Sequence, residues 1–129
     1  MAVARGHIGV TGHNVELLIE AIKTGEFSTV QVPFNFIETG ALKELFPLAK
    51  SLDVGRIVMK PLGGGQVRST DLALRFILEQ DISVAIPGMD KLEQVEQNLK
   101  AAKEFKPLTE EERAILKAEA EAIGPNFCR

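Results

Sequence analysis

The sequence predicts an α/β fold, namely half of a (β/α)8 TIM barrel built from four parallel βα units with a further helix at the C-terminal end. Three observations predict it. Strand-like and helix-like segments alternate along the 129 residues, and this order implies βαβ crossovers in a parallel sheet. The strand-like segments recur at a spacing of roughly 25 residues. A complete barrel has eight strands in about 250 residues, so this chain has the material for half of one.

The third observation is the side-chain alternation of the strands. In the second strand Val30 and Val32 lie on one face, whereas Gln31 lies on the other. A doubly wound, flavodoxin-like sheet is the structural alternative, but helices cover both of its faces and its strands are apolar throughout. One apolar and one mixed face therefore favour the barrel. The predicted strands cover residues 7–11, 29–34, 56–60 and 82–86.

Helices are predicted from apolar spacing and from capping residues. Asn14 is the expected N-cap of the first helix, which ends near residue 25. Asp90 with Glu93 is expected to form a capping box for the fourth, and Thr109 with Glu112 for the last. The remaining predicted bounds are residues 40–52, 70–80, 91–105 and 110–123.

Composition excludes several classes of function. The formal net charge of −3 offers no basic field that would replace the counterions of a nucleic acid. No apolar run approaches the roughly 20 residues of a membrane span, and the first residues do not have the apolar core of a secretory signal. The single cysteine, Cys128, cannot form an internal disulfide, so we expect a reducing, cytoplasmic location.

Four sequence blocks at the predicted strand ends resemble the aldo-keto reductase family. They stand in the order and spacing of that family's strands five to eight and cover nearly the whole chain. The blocks are HIGVTGH at residues 7–13, VQVPFN at 30–35, MKPLGGG at 59–65, and IPGM at 86–89 with QN at 97–98.

The resemblance implies an oxidoreductase that reduces aldehydes and ketones, or oxidises alcohols, with a nicotinamide cofactor extended across the barrel mouth. The family's catalytic Asp, Tyr, Lys and His lie on its first four strands, and this sequence contains no tyrosine. We therefore expect the chain to be a fragment of an NAD(P)H-dependent enzyme that supplies cofactor contacts. We assign no catalytic residue to it and expect it to be inactive alone.

The end of the sequence resembles one branch of the family. In that branch a Phe-Cys-Arg sequence opens a ferredoxin-like segment, and this sequence ends at Phe127-Cys128-Arg129. The resemblance implies a half barrel over residues 1–106, followed over residues 107–129 by a helix and the truncated start of that segment. A cluster needs about four ligands, so Cys128 would bind iron-sulfur only in a longer parent protein.

The resemblance also implies which residues contact the nicotinamide. Thr11, Gly12 and His13 stand where the family has a Ser-Asn pair that hydrogen-bonds the carboxamide. Gly12 departs from that pattern because glycine has no side-chain amide. Gln31 matches a family glutamine that holds the same group, and it offers both a donor and an acceptor. Met59 takes the place of an aromatic ring that lies against the nicotinamide.

The pyrophosphate and adenosine contacts are implied to follow the third and fourth strands. Lys60 and the loop containing Leu62 and Gly63 would approach phosphate oxygens. Gln94 stands at the family's arginine position for the 2′-phosphate, which weakens the preference for NADP and leaves NAD as an alternative. The implied positions of this segment are Gly88, Met89, Lys91, Gln94, Gln97 and Asn98.

Each of these residues also has a purely structural interpretation. Gln31 suits a polar position inside the barrel, Met59 suits core filling, and Lys60 suits a solvated rim. Glycines alone indicate only a flexible loop. Asp90 with Glu93 suits an ordinary surface helix.

Two other functions fit parts of the pattern. Four strands leave two unpaired edges and an uncovered face, so the chain is alternatively an interaction module that forms a homodimer or complements an N-terminal half-barrel. A flavodoxin-like receiver domain needs acidic residues after its first strand and an Asp after its third. Those places hold Thr11-Gly12-His13 and Lys60, which do not fit.

Overall fold

Each strand is followed by a helix, and all the strands run parallel in one sheet of order β1-β2-β3-β4 in the computed structural model, which describes residues 6–124. The strands are β1 (Gly9–Thr11), β2 (Thr29–Pro33), β3 (Gly55–Met59) and β4 (Val84–Ala85). The helices are α1 (Val15–Lys23), α2 (Leu45–Ser51), α3 (Thr70–Leu78), α4 (Leu92–Lys103) and α5 (Glu110–Ile123). The predicted α/β fold of four parallel βα units and a C-terminal helix is confirmed.

The hydrophobic core lies between one face of the sheet and the helices. Val30, Val32 and Val58 project into it from β2 and β3 and are at most 1% exposed. Phe34 packs its ring edge-on against Phe46 of α2, with the ring centroids 5.1 Å apart. Burial of a side chain of this size contributes about 1.5–3 kcal/mol, so this layer holds the helices to the sheet.

The opposite face of the sheet remains largely uncovered. Thr11, Gln31, Ile57 and Val84 share one register across the four strands and project to this face. Val84 is 46% exposed and Ile86, two residues further on, is 44% exposed. The alternation in the sequence therefore identified correctly which side of the sheet the helices cover.

Helix α5 docks against α3 through paired charges. Arg75 donates two hydrogen bonds of 2.9 Å to the carboxylate of Glu112. Arg113 donates to both oxygens of Glu79, at 3.1 and 2.9 Å. Leu116 is the buried apolar residue of this helix, at 3% exposure.

Two of the predicted helix starts were wrong in detail. The segment predicted as one helix from residue 40 is a 3-10 turn at Gly40–Leu42 followed by α2, which places Pro47 in the first turn of α2, where a missing amide hydrogen is tolerated. Asp90 and Glu93 do not cap α4. The N-cap is Lys91, and the side-chain oxygen of Gln94 accepts hydrogen bonds from the amides of Asp90 and Lys91, at 2.6 and 3.2 Å.

Two other predicted caps are confirmed. The Asn14 side chain accepts a hydrogen bond from the amide of Leu17 at 3.0 Å. Thr109 and Glu112 exchange side-chain to backbone bonds of 2.9 and 3.2 Å. Within residues 6–124 none of the helices combines the length and the apolar character needed to cross a membrane. Cys128 lies outside the described residues.

Candidate functional site

Because the strands are parallel, their carboxyl ends meet at one edge of the sheet, where β/α barrels bind their ligands. Thr11 ends β1, Met59 ends β3, and Gln31 lies two residues before the end of β2. The structure thus brings three of the predicted nicotinamide residues to adjacent strands.

Backbone and side-chain contacts join this group. Thr11 pairs with Gln31 in the sheet register, and the amide of Gly12 donates a hydrogen bond of 3.2 Å to the Gln31 carbonyl. The Nε2 of Gln31 lies 3.5 Å from the sulfur of Met59, a weak acceptor. Gln31 and Met59 are half-buried, whereas Thr11 and His13 are exposed. This arrangement presents a hydroxyl, an amide and a polarizable thioether on the uncovered face of the sheet.

Lys60 follows β3 in a backbone conformation that is rare for its residue type. Its φ is +52°, in the left-handed region that favours glycine. Its carbonyl accepts hydrogen bonds from the Asn35 side-chain amide at 3.1 Å and from the Gly63 amide at 3.0 Å. Asn35 is fully buried, and its Oδ1 accepts bonds from the amides of Ile37 and Glu38 at 2.9 and 2.8 Å.

The glycine-rich turn after Lys60 has a defined shape. Gly63, Gly64 and Gly65 have φ values of +58°, +65° and +88°, which only glycine adopts readily in succession. The amides of Gly63, Gly65 and Gln66 donate to carbonyls within the turn and its approach. Among the described residues, the Gly64 amide is left without a backbone acceptor in this turn.

Helix α5 reaches the far end of the same loop. The Glu119 carboxylate accepts hydrogen bonds from the amide of Arg68 at 2.5 Å and from the amide of Ser69 at 3.3 Å. Partial burial opposes ionisation of Glu119, yet these hydrogen bonds and the charge of Arg68 lower its pKa below the ordinary 4.5. The sequence held no local signal for this contact, because about fifty residues separate the partners.

The predicted adenosine segment lies beside β4. Gly88, Met89, Lys91 and Gln97 are exposed, and Asn98 is half-buried. Met89 and Asn98 help to line an apolar cavity of 410 Å³ between β4, α3 and α4. Gln94 is half-buried, and its side-chain oxygen is engaged in capping α4.

The described residues show no metal site, since no three His, Cys, Asp or Glu side chains among them are placed to hold an ion. His7 lies 3.0 Å from the hydroxyl of Ser28 through its Nδ1.

Comparison with known proteins defines the class of fold. No family model matches the chain, and no curated protein matches it. Solved structures do match, and among them are aldo-keto reductases and a glycerol dehydrogenase. An aldo-keto reductase from Bacillus halodurans in its holo form gives a TM-score of 0.71 at 21% identity, over 90% of this chain and 50% of that one.

Two further structures agree with the first. An aldo-keto reductase from Klebsiella pneumoniae in complex with NADPH gives a TM-score of 0.66 at 22% identity, over 85% of this chain and 46% of that one. The glycerol dehydrogenase from Gluconobacter oxydans gives 0.62 at 16% identity, over 95% and 51%. The chain spans about half the length of the structures it matches. Its fold is half of a TIM barrel, and it is similar to half of each of these solved structures.

Proposed function

We propose that this chain is the cofactor-binding half of an NADP-dependent aldo-keto reductase, with β1 to β4 corresponding to that family's strands five to eight. The observation that carries the proposal is the group of Thr11, Gln31 and Met59 on adjacent strands, facing the uncovered side of the sheet at its carboxyl edge. The NADPH complex of the Klebsiella pneumoniae structure supports the choice of cofactor.

The proposed cofactor contacts lie along the carboxyl edge of the sheet. Thr11 and Gln31 hydrogen-bond the nicotinamide carboxamide, and Met59 packs against the ring. Lys60 and the glycine-rich turn approach the pyrophosphate. Lys91 and Asn98 contact the adenosine end, together with the other predicted positions of that segment. Because Gln94 caps α4 and carries no charge, NAD is the second candidate cofactor.

The chemical step needs groups that this chain does not carry. The general acid implied by the family resemblance is a tyrosine, and the sequence contains none. We propose that carbonyl reduction or alcohol oxidation requires a half barrel with the catalytic Asp, Tyr, Lys and His. The same proposal includes a cytoplasmic location and a domain boundary after residue 106. It also includes an iron-sulfur role for Cys128 in a longer parent protein.

Titration with NADPH tests the cofactor site. The sequence has no Trp and no Tyr, so the emission of the bound cofactor is measured without protein background from those residues. We expect saturable binding that Gln31→Ala weakens about tenfold, because one or two hydrogen bonds of about 0.5–1.5 kcal/mol are lost. Calorimetry gives the dissociation constants independently.

Gln80→Ala is the matched control for Gln31→Ala. Gln80 is the same residue type, is also half-buried, and donates to the carbonyl of Phe76 in α3; it precedes β4, whereas the proposed site lies at the carboxyl ends of the strands. We expect Gln80→Ala to leave NADPH affinity unchanged. Absence of saturable binding at millimolar NADPH, in a chain whose circular dichroism shows a folded α/β protein, would contradict the proposal.

A second candidate function is association with another half-barrel, either a second copy or an N-terminal half. The exposure of Val84 and Ile86 on the uncovered face favours it, since apolar side chains in one layer of a sheet are normally covered. Size-exclusion chromatography with light scattering measures the mass in solution. A monomeric chain that melts cooperatively would contradict this function.

A further inference from the structure

The loop of residues 60–69, which joins β3 to α3, is held at both ends by side chains from other parts of the fold. We propose that Asn35 and Glu119 are positioning residues that keep this loop in the shape that receives the pyrophosphate of a dinucleotide. The inference rests on the proposed function for the identity of the ligand. The tethering itself is a property of the ligand-free chain.

Asn35 fixes the start of the loop. Its side-chain amide donates to the carbonyl of Lys60, the residue with a φ of +52° that directly follows β3. A non-glycine residue keeps such a conformation only where its surroundings hold it there, and such positions cluster at ligand-binding sites. Asn35 is fully buried and makes three hydrogen bonds, so its own orientation is fixed.

Glu119 fixes the end of the loop. Its carboxylate accepts hydrogen bonds from the Arg68 and Ser69 amides, just before α3 begins. Hydrogen bonds to an ionised carboxylate are stronger than those to a neutral acceptor, and these two bonds lower the pKa of Glu119. Helix α5, which carries Glu119, is itself fixed to α3 by Arg75 and Arg113.

The segment between the two tethers needs such support. It contains three successive glycines, whose backbone is otherwise the most mobile of any residue type. Holding both ends removes freedom that a ligand would otherwise have to remove on binding, and this raises affinity. Within this turn the Gly64 amide donates to no backbone carbonyl, which leaves it as a donor for an anion.

Hydrogen exchange of the ligand-free chain tests the tether. Glu119→Ala removes the acceptor, Glu119→Gln keeps a neutral one, and Glu121→Ala is the matched control because Glu121 is exposed on the same helix. The decisive amides are those of Gly63, Gly65 and Gln66, because they donate to backbone carbonyls and not to the Glu119 carboxylate. If Glu119 only accepted these two hydrogen bonds and did not position the loop, its removal would speed exchange at residues 68 and 69 alone.

We expect Glu119→Ala to raise exchange at Gly63, Gly65 and Gln66 about tenfold, Glu119→Gln to restore most of the protection, and Glu121→Ala to match the wild type. Asn35→Asp tests the other end, since aspartate keeps the acceptor for the Ile37 and Glu38 amides but has no amide to donate to Lys60. If Asn35→Asp fails to fold, the Glu119 series decides. Equal exchange at Gly63, Gly65 and Gln66 in Glu119→Ala and Glu121→Ala would overturn the tether.

NADPH titration of the same variants separates this inference from the proposed function. We expect Glu119→Ala to weaken NADPH binding about tenfold and Glu121→Ala to leave it unchanged. Equal affinity in wild type and Glu119→Ala would overturn the inference while the proposed function stands. A wild type that binds no NADPH would overturn the proposed function and the ligand assignment, and the exchange result would still decide whether the loop is held.

Discussion

At the scale of single residues, Lys60 is the position where the backbone departs most clearly from what its residue type prefers. The left-handed conformation costs a non-glycine residue about 1–2 kcal/mol, whereas glycine adopts it freely. We predict that Lys60→Gly raises the free energy of unfolding by about 0.5–1 kcal/mol, after allowance for the greater entropy of glycine in the unfolded chain. Urea unfolding followed by circular dichroism measures the change.

Lys60→Ala is the control for that prediction. Alanine removes the charged side chain as glycine does but keeps the penalty of the positive φ, so we expect no gain in stability. Asp53, with φ +56°, is a second position of the same kind, and Asp53→Gly is expected to act in the same direction. If Lys60→Ala stabilises the chain as much as Lys60→Gly does, the gain does not come from backbone strain.

Residue contacts were predictable from the sequence where they follow strand periodicity. The alternation of β2 placed Gln31 on the other face of the strand from Val30 and Val32. The βα order placed Thr11 on the neighbouring strand, so the proximity of Thr11 and Gln31 follows from the sequence. The bond from Asn35 to Lys60 spans 25 residues, and its geometry depends on where two loops meet. No sequence spacing encodes such a contact.

At the scale of elements, α5 depends on ionised carboxylates for its contacts with α3. The hydrogen bond from Arg75, together with one from the Thr109 backbone, lowers the pKa of Glu112 below 4.5, and the pKa of Glu119 is also lowered. A carboxyl whose pKa falls on folding stabilises the fold above its ordinary pKa, and that stabilisation is lost as the pH falls through the folded-state value. The docking of α5 is therefore complete at neutral pH.

We predict that α5 separates from α3 as the pH is lowered below 4.5, before the sheet unfolds. The methyl resonances of Leu116 report the docking, because that side chain is 3% exposed in the docked helix. Those of Val58, which projects from β3 into the core, serve as the internal control. Simultaneous loss of both signals would show that α5 is not held independently by its charges.

The ends of helices were predictable from the sequence where a single capping pattern stands at the helix start and no neighbouring residue competes with it. Thr109 with Glu112 forms the predicted capping box at the start of α5. At α4, Asp90 with Glu93 offered the same pattern, but Gln94 reaches the amides of Asp90 and Lys91 and moves the helix start by one residue. Adjacent capping patterns therefore compete for the same amides, and the sequence alone does not show which of them forms.

At the scale of the whole molecule, the sheet has one face in a hydrophobic core and one face open. The helices bury Val30, Val32 and Val58 on the first face, while Gln31, Ile57 and Met59 on the second are only half-buried. In a closed barrel the second face would be the packed interior. The open face thus serves both proposals, as the wall of a cofactor site and as the contact surface for another half-barrel.

Substitution of Ile86 by lysine tests the contact surface. Ile86 is 44% exposed, so a lysine there leaves the core intact but places a charge where a second half-barrel would pack. We predict that the wild-type chain associates in a concentration-dependent way up to about 100 μM and that Ile86→Lys is monomeric under the same conditions. Light scattering after size-exclusion chromatography measures both masses.

Ile115→Lys provides the matched control, because Ile115 is 51% exposed on α5, away from the sheet. Lysine at either position adds the same charge and the same side chain, so a general increase in solubility would affect both variants equally. Association that survives Ile115→Lys but not Ile86→Lys would locate the contact on the open face. Loss of association in both variants would assign it to nonspecific hydrophobic contact, and a monomeric wild type would leave the open face as the wall of a ligand site alone.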